Sequence, residues 1–157
     1  MVEDDTAVRA ALAELLDESG FQVLTASNGY SGLRLASLEQ PRVVLLDLAL
    51  PELSGLEVLR ELRARAETRE TAIIVVTGNT RWIPEARLAG ADLVVEKPFD
   101  IEELLAAVHG TIERSPAHRH DEMSVLPVTQ PLVRARHAER LRPVRHGPSW
   151  GARRRNA

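Results

Sequence analysis

The chain contains no cysteine, which excludes a disulfide scaffold and thiol chemistry and is compatible with a cytosolic protein. No apolar run approaches the roughly 18 residues that a membrane-spanning helix requires. No basic segment followed by an apolar one opens the chain, so no secretory signal is read, and the expected location is cytoplasmic, away from membranes. There is no internal repeat and no glycine-rich phosphate loop.

What is present fits one soluble globular domain with an appendage: 157 residues, of which 44% are hydrophobic and 27% charged. The net charge of −3 conceals a division. Residues 1–114 hold 20 acidic and 11 basic residues, whereas residues 115–157 hold 3 acidic and 9 basic ones. The expected organisation is therefore a domain over 1–114 and a basic Pro/Arg-rich tail over 115–157. Prolines at 116, 127, 131, 143 and 148 and the lack of periodicity predict disorder in that tail. Its arginines could neutralise phosphates. A single aromatic, Trp150, and the lack of a recognisable motif count against nucleic-acid binding. His118 and His120 are too few for a metal site.

The domain is organised around Val43–Leu46, an unbroken apolar run that stops on Asp47. Such a run reads as a strand buried on both faces, as in parallel sheets. Pro51 and Gly55 shape the following loop, and Ser54 with Glu57 forms a capping box for a helix over about Gly55–Arg65, with Leu56, Leu59 and Leu62 inward. Upstream, Asp5 or Thr6 caps a helix with Val8, Leu12, Leu15 and Leu16 on one face, ended by Gly20. Phe21–Ala26 reads as a strand, and Asn28-Gly29 leads into a helix through Leu33, Leu35 and Leu38 that Pro41 closes. Downstream, Ala72–Thr77 is a buried strand, Ile83–Ala89 a short helix admitting Pro84 in its first turn, and Leu93–Glu96 another strand. Asp100 and Glu103 then cap a last helix with Ile101, Leu104, Leu105, Val108 and Ile112 as its apolar stripe. Strands alternating with helices in this way predict an α/β fold with a parallel sheet between helical layers.

A polar residue follows or ends nearly every strand: Glu3 and Asp4, then Asp47, Thr77 and Lys97. A parallel sheet gathers these ends on one edge, where open α/β sheets bind ligands. Crowded carboxylates repel one another unless a cation neutralises them. Oxygen donors without His or Cys point to a hard divalent ion, most simply Mg²⁺. A hydroxyl and an ammonium beside that ion suit a transferring phosphoryl group, whose charge spreads over its oxygens. A central carboxylate can itself be the nucleophile and form an aspartyl phosphate.

Residues 2–114 resemble the receiver domain of two-component response regulators. The family's acid pair matches Glu3-Asp4, its phosphoacceptor motif matches the stretch of Asp47, Pro51 and Gly55, its switch hydroxyl matches Thr77, and its Lys-Pro-Phe matches Lys97-Pro98-Phe99. The resemblance implies a flavodoxin-like (βα)5 sheet of order 2-1-3-4-5. It implies that Asp47 takes a phosphoryl group from a sensor histidine kinase or phosphotransfer protein. Mg²⁺ is then held by Asp4, Asp47 and the backbone carbonyl of Ala49, with Glu3 acting through water. Thr77 and Lys97 hold phosphoryl oxygens, Gly78 leaves room for them, and a cis bond before Pro98 aims Lys97 at the pocket. Repacking around Thr77 then signals to a downstream protein partner.

Three departures set further expectations. The chain begins two residues before Glu3, where the family has a full apolar strand, so the first strand reads as truncated and the true start is expected upstream. The segment from Thr77 to Lys97 is short by about two residues and holds Pro84, so its helix is expected to be trimmed. Val94 stands where the family carries an aromatic switch residue, and Trp82 is expected to be half-buried. The alternative reading is a degenerate receiver, a phosphorylation-independent interaction module. A hydrolase is disfavoured because Ala49 stands where a second acid would serve as general acid/base.

Overall fold

The structure, a computed structural model, describes residues 1–114, and the tail expected over 115–157 lies outside the described residues. Three runs rich in β-branched residues form the continuous sheet: β1 (Val43–Asp47), β2 (Ala72–Thr77) and β3 (Leu93–Glu96). They are parallel, in the order β1-β2-β3, with Leu45 opposite Ile74 and Val76 opposite Val95. All six positions of β2 are buried, because successive side chains point to opposite faces and both faces are covered. Ile73 and Val75 join Leu46, Val58, Leu59 and Leu62 in one apolar cluster. Ile74 and Val76 join Leu45, Val95, Leu104 and Val108 in the other. Each such aliphatic side chain contributes about 1.5–3 kcal/mol when fully buried.

Val2 extends the sheet beyond β1 through isolated parallel bridges to Leu46 on one side and Ala26 on the other. Val2 N–H donates to Leu45 O at 2.8 Å and Asp47 N–H to Val2 O at 3.0 Å. Across the other side, Ala26 N–H donates to Met1 O at 2.9 Å and Glu3 N–H to Ala26 O at 3.1 Å. The spatial order is thus residues 21–26, then 1–3, then β1, β2 and β3, the flavodoxin-like order 2-1-3-4-5. The expected strand over Phe21–Ala26 is corrected to a single bridge at Ala26. A strand exists through its ladder, and residues 1–3 offer this segment one bridge at Ala26 and a bond from the Met1 ammonium to Leu24 O at 2.7 Å.

The helices are α1 (Thr6–Glu18), α2 (Gly29–Glu39), α3 (Gly55–Ala64), α4 (Ile83–Leu88) and α5 (Ile101–Arg114). Asp5 caps α1, its carboxylate accepting from Ala7 N–H at 2.8 Å and Val8 N–H at 3.0 Å. Asn28 caps α2, which ends on Gln40 in the left-handed region (φ 44°) before Pro41. The capping box of Ser54 and Glu57 is formed at α3. The fourth helix is short, entered through a 3₁₀ turn at Thr80–Trp82, with Trp82 half-buried against the core. Val8, Leu38 and Ile101, expected to face inward, are 37%, 67% and 52% exposed. All three sit in terminal turns, where the helical periodicity continues after the packed surface has ended.

Candidate functional site

Each strand delivers one polar side chain to the same edge of the sheet. Asp47 ends β1, Thr77 ends β2, Lys97 follows β3, and Glu3-Asp4 follow the bridge at Val2. Glu3, Asp4 and Asp47 each present a carboxylate oxygen within 4.8 Å of the others. Glu3 and Asp47 are buried and Asp4 is exposed, so the cluster opens to solvent on one side. Gly55 is indispensable to this packing, since a Cβ built there falls 2.1 Å from Asp47 O. The loop after β1 therefore lies directly against the strand end, and Gly55 N–H closes it on Leu48 O at 3.1 Å.

Lys97 enters the cluster from the far strand. Its ammonium donates to Asp47 Oδ2 at 2.6 Å and to Glu3 Oε2 at 2.9 Å. The Lys97–Pro98 peptide is cis, and Lys97 N–H donates to Thr77 O at 2.8 Å. Asp47 Oδ1 accepts from Ala49 N–H at 2.8 Å, which fixes the carboxylate and turns the loop at Ala49. Thr77 is buried, and its hydroxyl accepts from Asn79 N–H at 3.1 Å within its own loop. The structure therefore joins Glu3, Asp4, Asp47 and Lys97 in one cluster and sets Thr77 at the neighbouring strand end.

The electrostatics follow from this crowding. Burial, reinforced by the negative charge of Asp47, raises the Glu3 carboxyl above its ordinary pKa against the opposing pull of Lys97. For Lys97, burial works toward a lower value, and its bonds to Asp47 and Glu3 outweigh it and hold the ammonium above the usual range. The chemistry of the donor set fits a hard divalent cation, with three convergent carboxylate oxygens and no soft ligand. Lys97 supplies a positive charge bonded to the two buried carboxylates.

Two features of the site escaped the motif reading. Lys97, found by its motif, is also the only lysine among 20 basic residues, a compositional signal that the motif reading did not use. Arg9, one turn into α1, donates from Nη1 to Glu3 O at 2.8 Å and to Asp4 O at 3.0 Å. Its Nη2 donates to Thr6 Oγ1 at 3.2 Å. No spacing rule marks it, because it acts on main-chain oxygens of the acid pair.

Comparison with known proteins agrees with this geometry. The response regulator receiver domain matches residues 1–109. The response regulator MprA of Mycolicibacterium vanbaalenii is 33% identical over 143 residues, covering 85% of this chain and 62% of that protein, so the chain spans less than two thirds of this relative's length. Among solved structures, the Vibrio cholerae chemotaxis protein CheY4 aligns with a TM-score of 0.67 at 27% identity, covering 70% of this chain and 93% of that one. The receiver domain of a sensor histidine kinase from Pseudomonas aeruginosa, with magnesium coordinated in its active-site cleft, aligns with a TM-score of 0.65 at 28% identity, covering 71% and 93% of the two chains. With the strand order, the acid cluster and the matched residues in agreement, this chain belongs to the response regulator receiver domain family.

Proposed function

We propose that Asp47 accepts a phosphoryl group from the phosphohistidine of a sensor histidine kinase or phosphotransfer protein. A carboxylate oxygen of Asp47 attacks phosphorus, the P–N bond breaks, and the imidazole leaves with a proton. The observation that carries this reading is the convergence of Glu3, Asp4 and Asp47 within 4.8 Å, with Lys97 bonded to two of them. Mg²⁺ would be held by Asp4, Asp47 and the backbone carbonyl of Ala49, with Glu3 acting through water. Bound there, it supplies charge neutralisation for the phosphoryl oxygens. Lys97 shifts from its two carboxylates to hold a phosphoryl oxygen, and Thr77 holds another.

Turning toward that oxygen, the Thr77 hydroxyl leaves Asn79 N–H, which loosens the turn carrying Trp82 and changes the surface offered to a downstream protein partner. Half-buried Val94 contributes packing to this change in place of a swinging ring. The chemistry is confined to the domain's own phosphorylation and dephosphorylation. Residues 1–114 form the receiver unit, and 115–157 a basic appendage. No helix among the described residues is long and apolar enough to cross a membrane, and the proposed location is the cytoplasm.

Incubation with acetyl phosphate and Mg²⁺ tests the reading by intact mass. Wild type is expected to gain one phosphate and Asp47→Asn none. A folded wild type that gains none supports the alternative, a phosphorylation-independent interaction module.

A further inference from the structure

We infer that Arg9 is a positioning residue for the metal-binding turn. The inference rests on the receiver reading above and extends it to a residue outside the acid cluster. Glu3 to Asp5 lie between the last sheet contact and the first helical turn. The Glu3 amide still bonds across to Ala26, and the Asp5 carbonyl already accepts from Arg9 N–H at 2.9 Å. Between these two, the Glu3 and Asp4 carbonyls are taken by one guanidinium nitrogen, at 2.8 and 3.0 Å. The other terminal nitrogen is held by the Thr6 hydroxyl at 3.2 Å, so the planar group is fixed at two points.

Two consecutive carbonyls converging on one donor fix the peptide planes on either side of Asp4. The orientation of those planes decides where the Glu3 and Asp4 side chains leave the backbone. Glu3 then reaches Lys97 at 2.9 Å with one oxygen and Asp5 N–H at 3.3 Å with the other. Groups that orient ligands in this way are worth about 10–100-fold in metal affinity.

Arg9 also adds positive charge beside the site, and like charge opposes a bound cation. The two roles have opposite signs. Removing a mere repelling charge tightens Mg²⁺ binding, whereas removing the clamp weakens it. The full chain is titrated with Mg²⁺ by calorimetry, for wild type, Arg9→Ala and Arg9→Lys. Arg9→Ala is expected to bind Mg²⁺ about tenfold more weakly, with Asp47 phosphorylation by acetyl phosphate at saturating Mg²⁺ close to wild type. In Arg9→Lys the ammonium can still donate to a carbonyl but lacks the two-nitrogen fork, so part of the clamp is kept and its affinity is expected to fall between the other two. Should Arg9→Ala fail to fold, the Lys variant carries the test. Equal or tighter Mg²⁺ binding in Arg9→Ala, or wild-type affinity in Arg9→Lys where only that variant folds, overturns the positioning role while leaving the receiver reading intact. A wild type that binds no Mg²⁺ overturns both.

Discussion

At the scale of single residues, the site is a balance between carboxylates and one ammonium. Lys97, 27% exposed, is bonded to two side chains that are 5% and 7% exposed. Removing it leaves two nearly buried acids facing each other. Breaking a fully buried pair costs about 3–5 kcal/mol, and partial exposure reduces the expected loss for Lys97→Met to about 2 kcal/mol, read from urea unfolding without divalent ions. Mg²⁺ is expected to restore more stability to this variant than it adds to wild type, because the cation takes over the missing charge. Gly55 is the opposite kind of residue, one that matters for what it lacks. Gly55→Ala drives a methyl against Asp47 O and Leu48 Cα, with an expected destabilisation of about 3 kcal/mol in the same measurement.

At the scale of elements, caps and ladders decide what forms. α2 ends on Gln40 with φ 44°, a conformation that costs a side-chain-bearing residue about 1–2 kcal/mol and glycine none. Gln40→Gly is expected to raise stability by about 0.5–1 kcal/mol, after allowing for glycine's greater unfolded-state entropy. The cap of α1 is titratable. Bonds from Val8 and Ala7 N–H hold the exposed Asp5 carboxyl below its ordinary value of 3.8. A depressed acid contributes stability above its unfolded pKa and loses it as pH falls through the folded one. Acid unfolding of Asp5→Asn, which keeps an acceptor but cannot titrate, is therefore expected to lose this component of its pH dependence below about 3.8. A pH profile unchanged from wild type contradicts the assignment.

The same scale explains what the sequence could and could not reveal. β1, β2 and β3 were legible because Val43–Leu46, Ala72–Val76 and Leu93–Val95 are unbroken apolar runs packed between the helical layers. Phe21–Ala26 has similar residues, yet its fate depends on residues 1–3, a partner far away in the sequence that supplies one bridge and the bond from Met1 to Leu24 O. The capping box at Ser54 was legible from residue type alone, whereas the exposure of Leu38 and Ile101 depends on where neighbouring elements stop. The gathering of Asp47, Thr77 and Lys97 on one edge was legible because the ends of parallel strands share that edge. Arg9 was not, because its contacts are to carbonyl oxygens that every residue possesses.

At the scale of the molecule, the sheet divides into a densely laddered half and a sparsely bridged one. Amides of Ile74–Val76, central in the ladder and buried, are expected to exchange with solvent only through global unfolding, and those of Gln22–Thr25 far faster. Equal protection in the two regions contradicts this division. The site spans both halves, taking Asp47, Thr77 and Lys97 from the first and Glu3-Asp4 from the second, so cation binding joins them. Mg²⁺ is accordingly expected to slow exchange around Glu3 and Ala26 more than around Ile74.

The central claim is that Asp47 is the atom-bearing end of phosphoryl transfer, with the surrounding acids and Lys97 arranged to serve it. The most direct measurement is borohydride trapping after incubation with acetyl phosphate and Mg²⁺, followed by peptide mapping, since borohydride reduces an aspartyl phosphate to homoserine. The expected result is homoserine at position 47, dependent on Mg²⁺ and absent when Mg²⁺ is chelated. Homoserine at position 4 or elsewhere in the chain, or none in a folded protein, contradicts the account.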